Sequence, residues 1–233
     1  MSCGVLLLSF TPSPDAVVAA AARLCYSDVS AAELIEAESP EKVRGLLRHI
    51  RKSGHFSPFE HASFTFAIDG LSRVSSHQLV RHRIASFSQQ SQRYVTMGSP
   101  DVVVPPSIGQ HPELMRRFLG MAEAAHALYG ELTEKGVPKE DARYILPHGW
   151  STRLVMTMNA RELHHFFTLR LCRRAQWEIR ELARRMLLEV RKVAPLLFET
   201  AGPACIVSSR CEEAHPCGKP YASLIELLDE KIV

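Results

Sequence analysis

The chain predicts a single α+β domain, a small and mainly antiparallel sheet flanked by helices. Three observations carry this. Strand-like runs are few, and longer helical stretches cluster around them without regular alternation. No internal repeat and no Gly/Pro/Ser-rich linker divides the 233 residues. With 46% hydrophobic and 23% charged residues, the chain can bury a core without disulfide staples. The domain is expected over residues 1–200, with 201–233 as a cysteine-containing tail that includes a short helix.

In order along the chain, VLLLSF (5–10) is β-rich and ends at TPSP, a strand followed by a turn. Asp15 is placed to cap a helix through AVVAAAARLCY. SAAELIEA and PEKVRGLLRHIRKSG carry helical spacing, and Gly54 closes the second. In HASFTFAIDG (61–70), Phe64, Phe66 and Ile68 alternate, as in a half-buried strand. LSRVSSHQLVRHR reads as a helix, residues 81–95 as a loop, and QRYVTM as a strand leaving it. Residues 111–136 form an amphipathic helix with Pro112 in its first turn. KEDARYILPHG is a short helix stopped by Pro147, and TRLVMTMN is β-like. Asn159 opens a helical region that runs to about Pro195.

The net charge is only +3, so the protein is no polycation, and its basic signal is local. That favours a small anionic ligand over a nucleic-acid backbone tracked along one face. No apolar run is long enough to span a bilayer, and the N-terminal apolar run lacks a basic region before it. A first strand, not a signal peptide, is expected there. The scattered cysteines fit a reduced, cytoplasmic protein.

The local signal is RHRIASFSQQSQRYV (81–95). Between Asp69 and Asp101 there is no acidic residue, while Arg73, Arg81, Arg83 and Arg93 all fall inside the gap. Arginine forks and serine hydroxyls at a helix-to-loop junction can converge on phosphate oxygens, whereas a bland basic loop would need neither. The histidines His55, His61, His77, His82, His164 and His165 show no tight zinc spacing, so no metal is assigned to the site. In NARELHHFFTLRLCRRAQWEIR (159–180), Phe166 and Phe167 read as core, and Arg173, Arg174 and Arg180 as a salt-bridged surface. Arg161 and Arg170 would point about 180° apart on one straight helix. Either the helix breaks near Leu171–Arg174, or the two arginines serve different ligands or subunits. Cys205, Cys211 and Cys217 have no standard zinc spacing and read as a structural tail, with metal or disulfide both open.

Arg81-His82-Arg83 with Ser91 after seven intervening residues is similar to the signature of the flavin-dependent thymidylate synthases. HFSPFEH, SHQLVRHR, SQRY, ARYILP and NAR…LR…AQWEIR resemble further blocks of that family, in family order, over roughly residues 50 to 195. The resemblance implies conversion of dUMP to dTMP with bound FAD, methylene-tetrahydrofolate as carbon donor and NADPH as reductant. It implies a homotetramer whose active sites are shared between subunits. His55, Ser57, Arg81, His82, Arg83, Ile84, Gln89, Asn159, Ala160, Arg161 and His165 would contact the flavin. Gln78, Leu79, Val80, Arg81, Gln89, Gln90, Ser91, Gln92 and Arg93 would bind dUMP, with Arg143 supplied by a neighbouring subunit. Arg170 would polarise the uracil ring.

This chain departs from the family pattern twice. Ser88-Gln89 stands where Asn-Glu is common, which removes a carboxylate, and His165 stands where Asn is common. Methylation at C5 needs electron density there, and neither Ser91, flanked by glutamines, nor Cys172 has an adjacent base in sequence. A guanidinium aimed at developing charge is the alternative. Two rival classes explain less. An RNA-binding module should interleave more aromatics than Phe87 and Tyr94, and a histidine-ligated hydrolase lacks clean ligand spacing.

Overall fold

The computed structural model describes residues 3–37 and 39–232. Its strands and helices run β1 (Gly4–Phe10), α1 (Pro14–Leu24), α2 (Ala31–Ala37), α3 (Pro40–Lys52), β2 (Ser63–Ser72), α4 (Arg73–Leu79), β3 (Ala85–Gln89), α5 (Pro106–Gly109), α6 (Pro112–Glu134), α7 (Lys139–Ala142), β4 (Ser151–Asn159), α8 (Ala160–Arg170), α9 (Trp177–Val193), α10 (Ala204–Val207) and α11 (Leu224–Asp229). Single 3₁₀ turns follow α3 and α7, at Ser57–His61 and Arg143–Ile145.

The four strands form one sheet in the order β1-β2-β4-β3, with every pairing antiparallel. Alternation fixes which face is wet. Phe64, Phe66 and Ile68 of β2 and Met156 and Met158 of β4 point inward, fully buried, against Phe166, Phe167, Leu182 and Met186 of α8 and α9. A large aliphatic or aromatic side chain buried this completely contributes roughly 1.5–3 kcal/mol. The opposite face carries Leu6, Ala67 and Val155 in register, and Leu6 and Val155 are exposed. A second, smaller cluster of Met97, Tyr129, Ala142, Leu146 and Trp150 seats α6 beside the start of β4.

Three expectations need correction. Residues 81–95 are not all loop, because Ala85–Gln89 pairs with β4 as an edge strand. QRYVTM is turn, not strand, and Met97 at its end enters the second cluster. Asp15 does not cap α1. Its carboxylate instead accepts the backbone N–H groups of Leu196 (3.1 Å) and Leu197 (2.8 Å), tying α1 to the chain beyond α9. Gly54 follows α3 at φ +75°, a left-handed conformation that glycine adopts without a Cβ clash. The helical region after Asn159 does break, with α8 ending at Arg170 and α9 starting at Trp177. As expected, the arginines that follow Arg170 are salt-bridged. Arg173 pairs with Glu226 and Glu230, Arg174 with Glu213 and Arg180 with Glu230, all in the tail. Tyr221 and Leu227 of that tail belong to the main core. Among the described residues no helix is long and apolar enough to cross a membrane.

Candidate active site

α4 organises the site, and α9 holds α4. Ser72 caps α4 through the Ser75 N–H. The buried carboxylate of Glu178 accepts from the Ser72 N–H (2.6 Å), the Ser72 hydroxyl (2.5 Å) and the Ser75 hydroxyl (2.6 Å). Gln176, which caps α9, also accepts from Ser75. A carboxylate at a helix N-terminus satisfies orphan donors and the helix dipole together. The QWE of the 159–180 block is therefore a clamp on α4, a role its sequence context did not announce.

At the C-terminal end of α4 lies a buried relay. Glu162 Oε1 is 2.9 Å from His82 Nδ1, and Arg170 Nε is 3.1 Å from His82 Nε2. Arg170 also donates from Nη2 to the Gln78 carbonyl at 3.2 Å. An arginine N–H can only donate, so His82 Nε2 must carry a lone pair and Nδ1 must carry the proton given to Glu162. Burial, then the charges of Arg170 and His165, lower the His82 pKa to about 4, so the ring is neutral near pH 7. Burial raises Glu162 and lowers Arg170. Nη1 of Arg170 makes no hydrogen bond among the described residues.

Beside the relay, Glu60, Ile84, Asn159, Arg161, Glu162 and His165 line a cavity of about 360 Å³. Asn159 caps α8 through the Glu162 N–H at 2.9 Å, and Arg161 pairs with Glu60. Ile84 is 63% exposed at its rim. Arg81 and Arg83 are exposed and have no acidic partner among the described residues.

A second cationic group sits at the N-terminal end of α4. Arg73 donates from Nη2 to the Gln90 carbonyl at 2.8 Å, while its buried Nε has no partner. Burial and then the neighbouring Arg143 charge depress the Arg73 pKa. Arg93 pairs with Glu140 and its N–H donates to Ser91 Oγ at 3.1 Å. Lys139 donates to the Tyr94 carbonyl at 3.1 Å. Two like-charged guanidinium groups, Arg73 and Arg143, thus lie close together, and the buried Nε–H of Arg73 has no partner.

The anticipated residues thus fall into two groups. Gln78, Arg81, His82, Arg83, Ile84, Asn159, Arg161, His165 and Arg170 gather at one end of α4, and Gln90, Ser91, Arg93 and Arg143 at the other. Within its own chain Arg143 neighbours Arg73, which donates to the Gln90 carbonyl. The acid-free stretch also finds acidic partners inside the chain, Glu178 for Ser72 and Ser75, Glu162 for His82 and Glu140 for Arg93. Leu79 and Ala160 have fully buried side chains and can offer only backbone, and the Ala160 N–H is already given to Ala62. Val80 is exposed, Gln92 lies in the 92–94 turn, and the Gln89 amide donates to Thr152 at 3.2 Å. His55 opens with Arg23 and His49 onto a separate cavity of about 480 Å³ between α1 and α3, and Ser57 begins the following turn. His82, Glu162 and His165 cluster like metal ligands, but both His82 nitrogens are already engaged. Arg73, Glu162 and Glu178 were missed, because their partners lie far away in sequence and only the gap in acids hinted at Arg73.

An α+β scaffold carries cationic groups at both ends of one short helix. Comparison with known proteins narrows the class. Residues 6–196 match the family model described as thymidylate synthase complementing protein. The chain is 52% identical over 218 residues to the flavin-dependent thymidylate synthase of Geobacter sulfurreducens, covering 92% of this chain and 94% of that one. It is 45% identical over 235 residues to that of Clostridium tetani, covering 94% of each. A crystal structure of the UMP/dUMP methylase PolB from Streptomyces cacaoi, bound with 5-Br dUMP, superposes with a TM-score of 0.78 at 30% identity, over 85% of this chain and 94% of that one. The chain belongs to the flavin-dependent thymidylate synthase family of enzymes.

Proposed function

We propose that this enzyme methylates dUMP to dTMP with FAD bound at the α4–α8 end, methylene-tetrahydrofolate as carbon donor and NADPH as reductant. The observation that carries the reading is the Glu162–His82–Arg170 relay, which fixes one guanidinium and leaves its Nη1 edge free. The donor set suits a flavin dinucleotide. Arg81, Arg83 and Arg161 supply cationic forks for a diphosphate, and Ile84 with Asn159 and His165 edges the neighbouring cavity. Bound there, the flavin supplies the redox chemistry, and the protein supplies orientation and electrostatics.

Arg170 faces the N3/O2 edge of uracil and stabilises the enolate-like form that makes C5 nucleophilic, worth on the order of 3 kcal/mol for one well-placed donor. Arg73, Arg93, Arg143 and Ser91 hold the phosphate. No cysteine attack is required. Cys172 lines a different cavity and burial raises its thiol, so it is a weak thiolate, while Ser91 Oγ accepts from the Arg93 N–H and has no base beside it. The two groups stand at opposite ends of a seven-residue helix, about 10 Å long. That separation supports a site completed across a subunit boundary in a homotetramer, and the exposed Leu6 and Val155 on the open sheet face support such packing. The catalytic unit is residues 1–200, with 201–233 as an appended strap.

The test is dTMP formation by purified enzyme given FAD, NADPH, methylene-tetrahydrofolate and dUMP. Failure to form dTMP with bound flavin present overturns the reading. Mixing inactive Arg143→Ala and Arg170→Ala proteins should restore activity in hybrids. Hybrids that form without recovery refute the shared site alone.

A further inference from the structure

Away from α4, a cavity of about 250 Å³ opens between the tail and the turn that follows Arg170. Cys172, Cys205, Cys211 and Cys217 all line it. Cys172 comes from the 171–176 turn, Cys205 from α10, and the other two from the exposed loop between α10 and α11. All are free thiols. The spacing of the three tail cysteines fits no standard ligand set, and Cys172 adds the fourth sulfur that sequence could not connect to them.

The sulfurs are placed as acceptors. After Cys217, Gly218 takes φ +72° and turns the Lys219 N–H onto Cys217 Sγ at 3.4 Å. Burial raises the Cys172 thiol, and the backbone N–H of Arg174 pulls it the other way. In both turns the amide two residues on faces the sulfur. Arg173, Lys219, Glu212 and Glu213 also line the cavity, with Arg173 paired to Glu226 and Glu230 and Glu213 paired to Arg174.

We propose that Cys172, Cys205, Cys211 and Cys217 form a tetrathiolate site for a zinc-type divalent ion, which straps the tail to the turn behind Arg170. Four thiolates satisfy a tetrahedral, borderline-soft ion, with metal–sulfur bonds of about 2.3 Å. No three of the sulfurs lie within 4.8 Å of one another among the described residues, so the ion draws the 208–219 loop inward as it binds. That loop is exposed and carries no helix or strand, whereas Cys172 sits in the turn between α8 and α9. Binding releases the thiol protons and adds its free energy to the folded state. The site is independent of the reaction proposed at α4.

The experiment uses the full-length protein, expressed with zinc and purified under a thiol reductant. Elemental analysis should find about one zinc per chain, and X-ray absorption at the zinc edge four sulfurs at about 2.3 Å. Cys211→Ser and Cys217→Ser, both at exposed loop positions, should lose the ion, while Cys25→Ser, at the end of α1, should keep it. Chelation should lower the Tm and added zinc should restore it. A wild-type protein that is metal-free and takes up no added zinc overturns the proposal. So does zinc retained in both loop variants, iron with acid-labile sulfide in its place, or a disulfide among the four in the reduced protein.

Discussion

Arg170 at one end of α4 and Arg93 with Arg143 at the other are the same residue type in different physical states. At the C-terminal end, Arg170 is half-buried and its orientation is set by His82, itself 4% exposed and backed by Glu162. At the N-terminal end, Arg93 is exposed, its ion pair with Glu140 is open to water, and Arg143 has no carboxylate bound to its guanidinium among the described residues. A preorganised guanidinium loses little entropy on use and acts on charge that develops during reaction. A mobile one serves binding, and its contribution is screened by salt. The proposed roles, a polarising Arg170 and phosphate-holding Arg93 and Arg143, predict that substitutions at the two positions differ in kind.

Substitutions at each end test that division. Arg170→Ala should cut single-turnover dTMP formation ~10²–10³-fold at saturating cofactor and substrate, and Arg170→Lys should not recover it, since an ammonium cannot reproduce the planar fork. Equal loss in a Ser91→Ala or Cys172→Ala protein would erase the distinction. Glu162→Ala should rank next. It leaves the buried His82 Nδ1–H unpaired, at a stability cost of about 1–3 kcal/mol. It should lower kcat while KM for dUMP stays nearly constant, and a change confined to KM would show that the relay does not position Arg170.

Arg143→Ala or Arg93→Ala should mainly weaken dUMP binding, by about tenfold each, with an effect that shrinks as salt rises and a Tm that hardly moves. Titration calorimetry at two ionic strengths reads this directly. Acidification gives the smallest and most graded effect. The His82 pKa falls from 6.5 to about 4 on folding, so the unfolded chain binds more protons between those values. Stability should therefore be full above pH 6.5 and decline as pH falls toward 4. Protonation of Nε2 also opposes the Arg170 Nε–H, so kcat should fall over the lower part of that window. A flat profile from pH 6.5 to 4 in denaturant melts would contradict the neutral relay.

Much of the fold was legible because local rules carry it. Phe64, Phe66 and Ile68 alternate onto the core, Pro112 starts α6 and Gly54 ends α3. β3 was not legible. Ala85–Gln89 is serine-rich and pairs on one side only, so its strand character comes from β4 some 70 residues later. The site divided in the same way. His82 and Arg170 were reached through their resemblance to family blocks, but Glu162 and Arg73 acquire meaning only from neighbours that folding supplies. Arg161 and Arg170 do face different partners, Glu60 and His82, and the helix break falls just beyond the second.

The grip of Asp15 on Leu196 and Leu197 bears on the order in which the protein is made. These hydrogen bonds join residues 181 and 182 positions apart. The entropy of closing so long a loop grows only slowly with length, but the loop must exist before it can close. On the ribosome, α1 emerges near the start of synthesis and its anchor near the end of the domain. Until then the Asp15 carboxylate stays in water, and α1 can pack only on the elements that follow it closely, α2, α3 and the 57–61 turn. The first helix can thus meet its packing partners early, but its tether to the end of the domain closes only late in biogenesis.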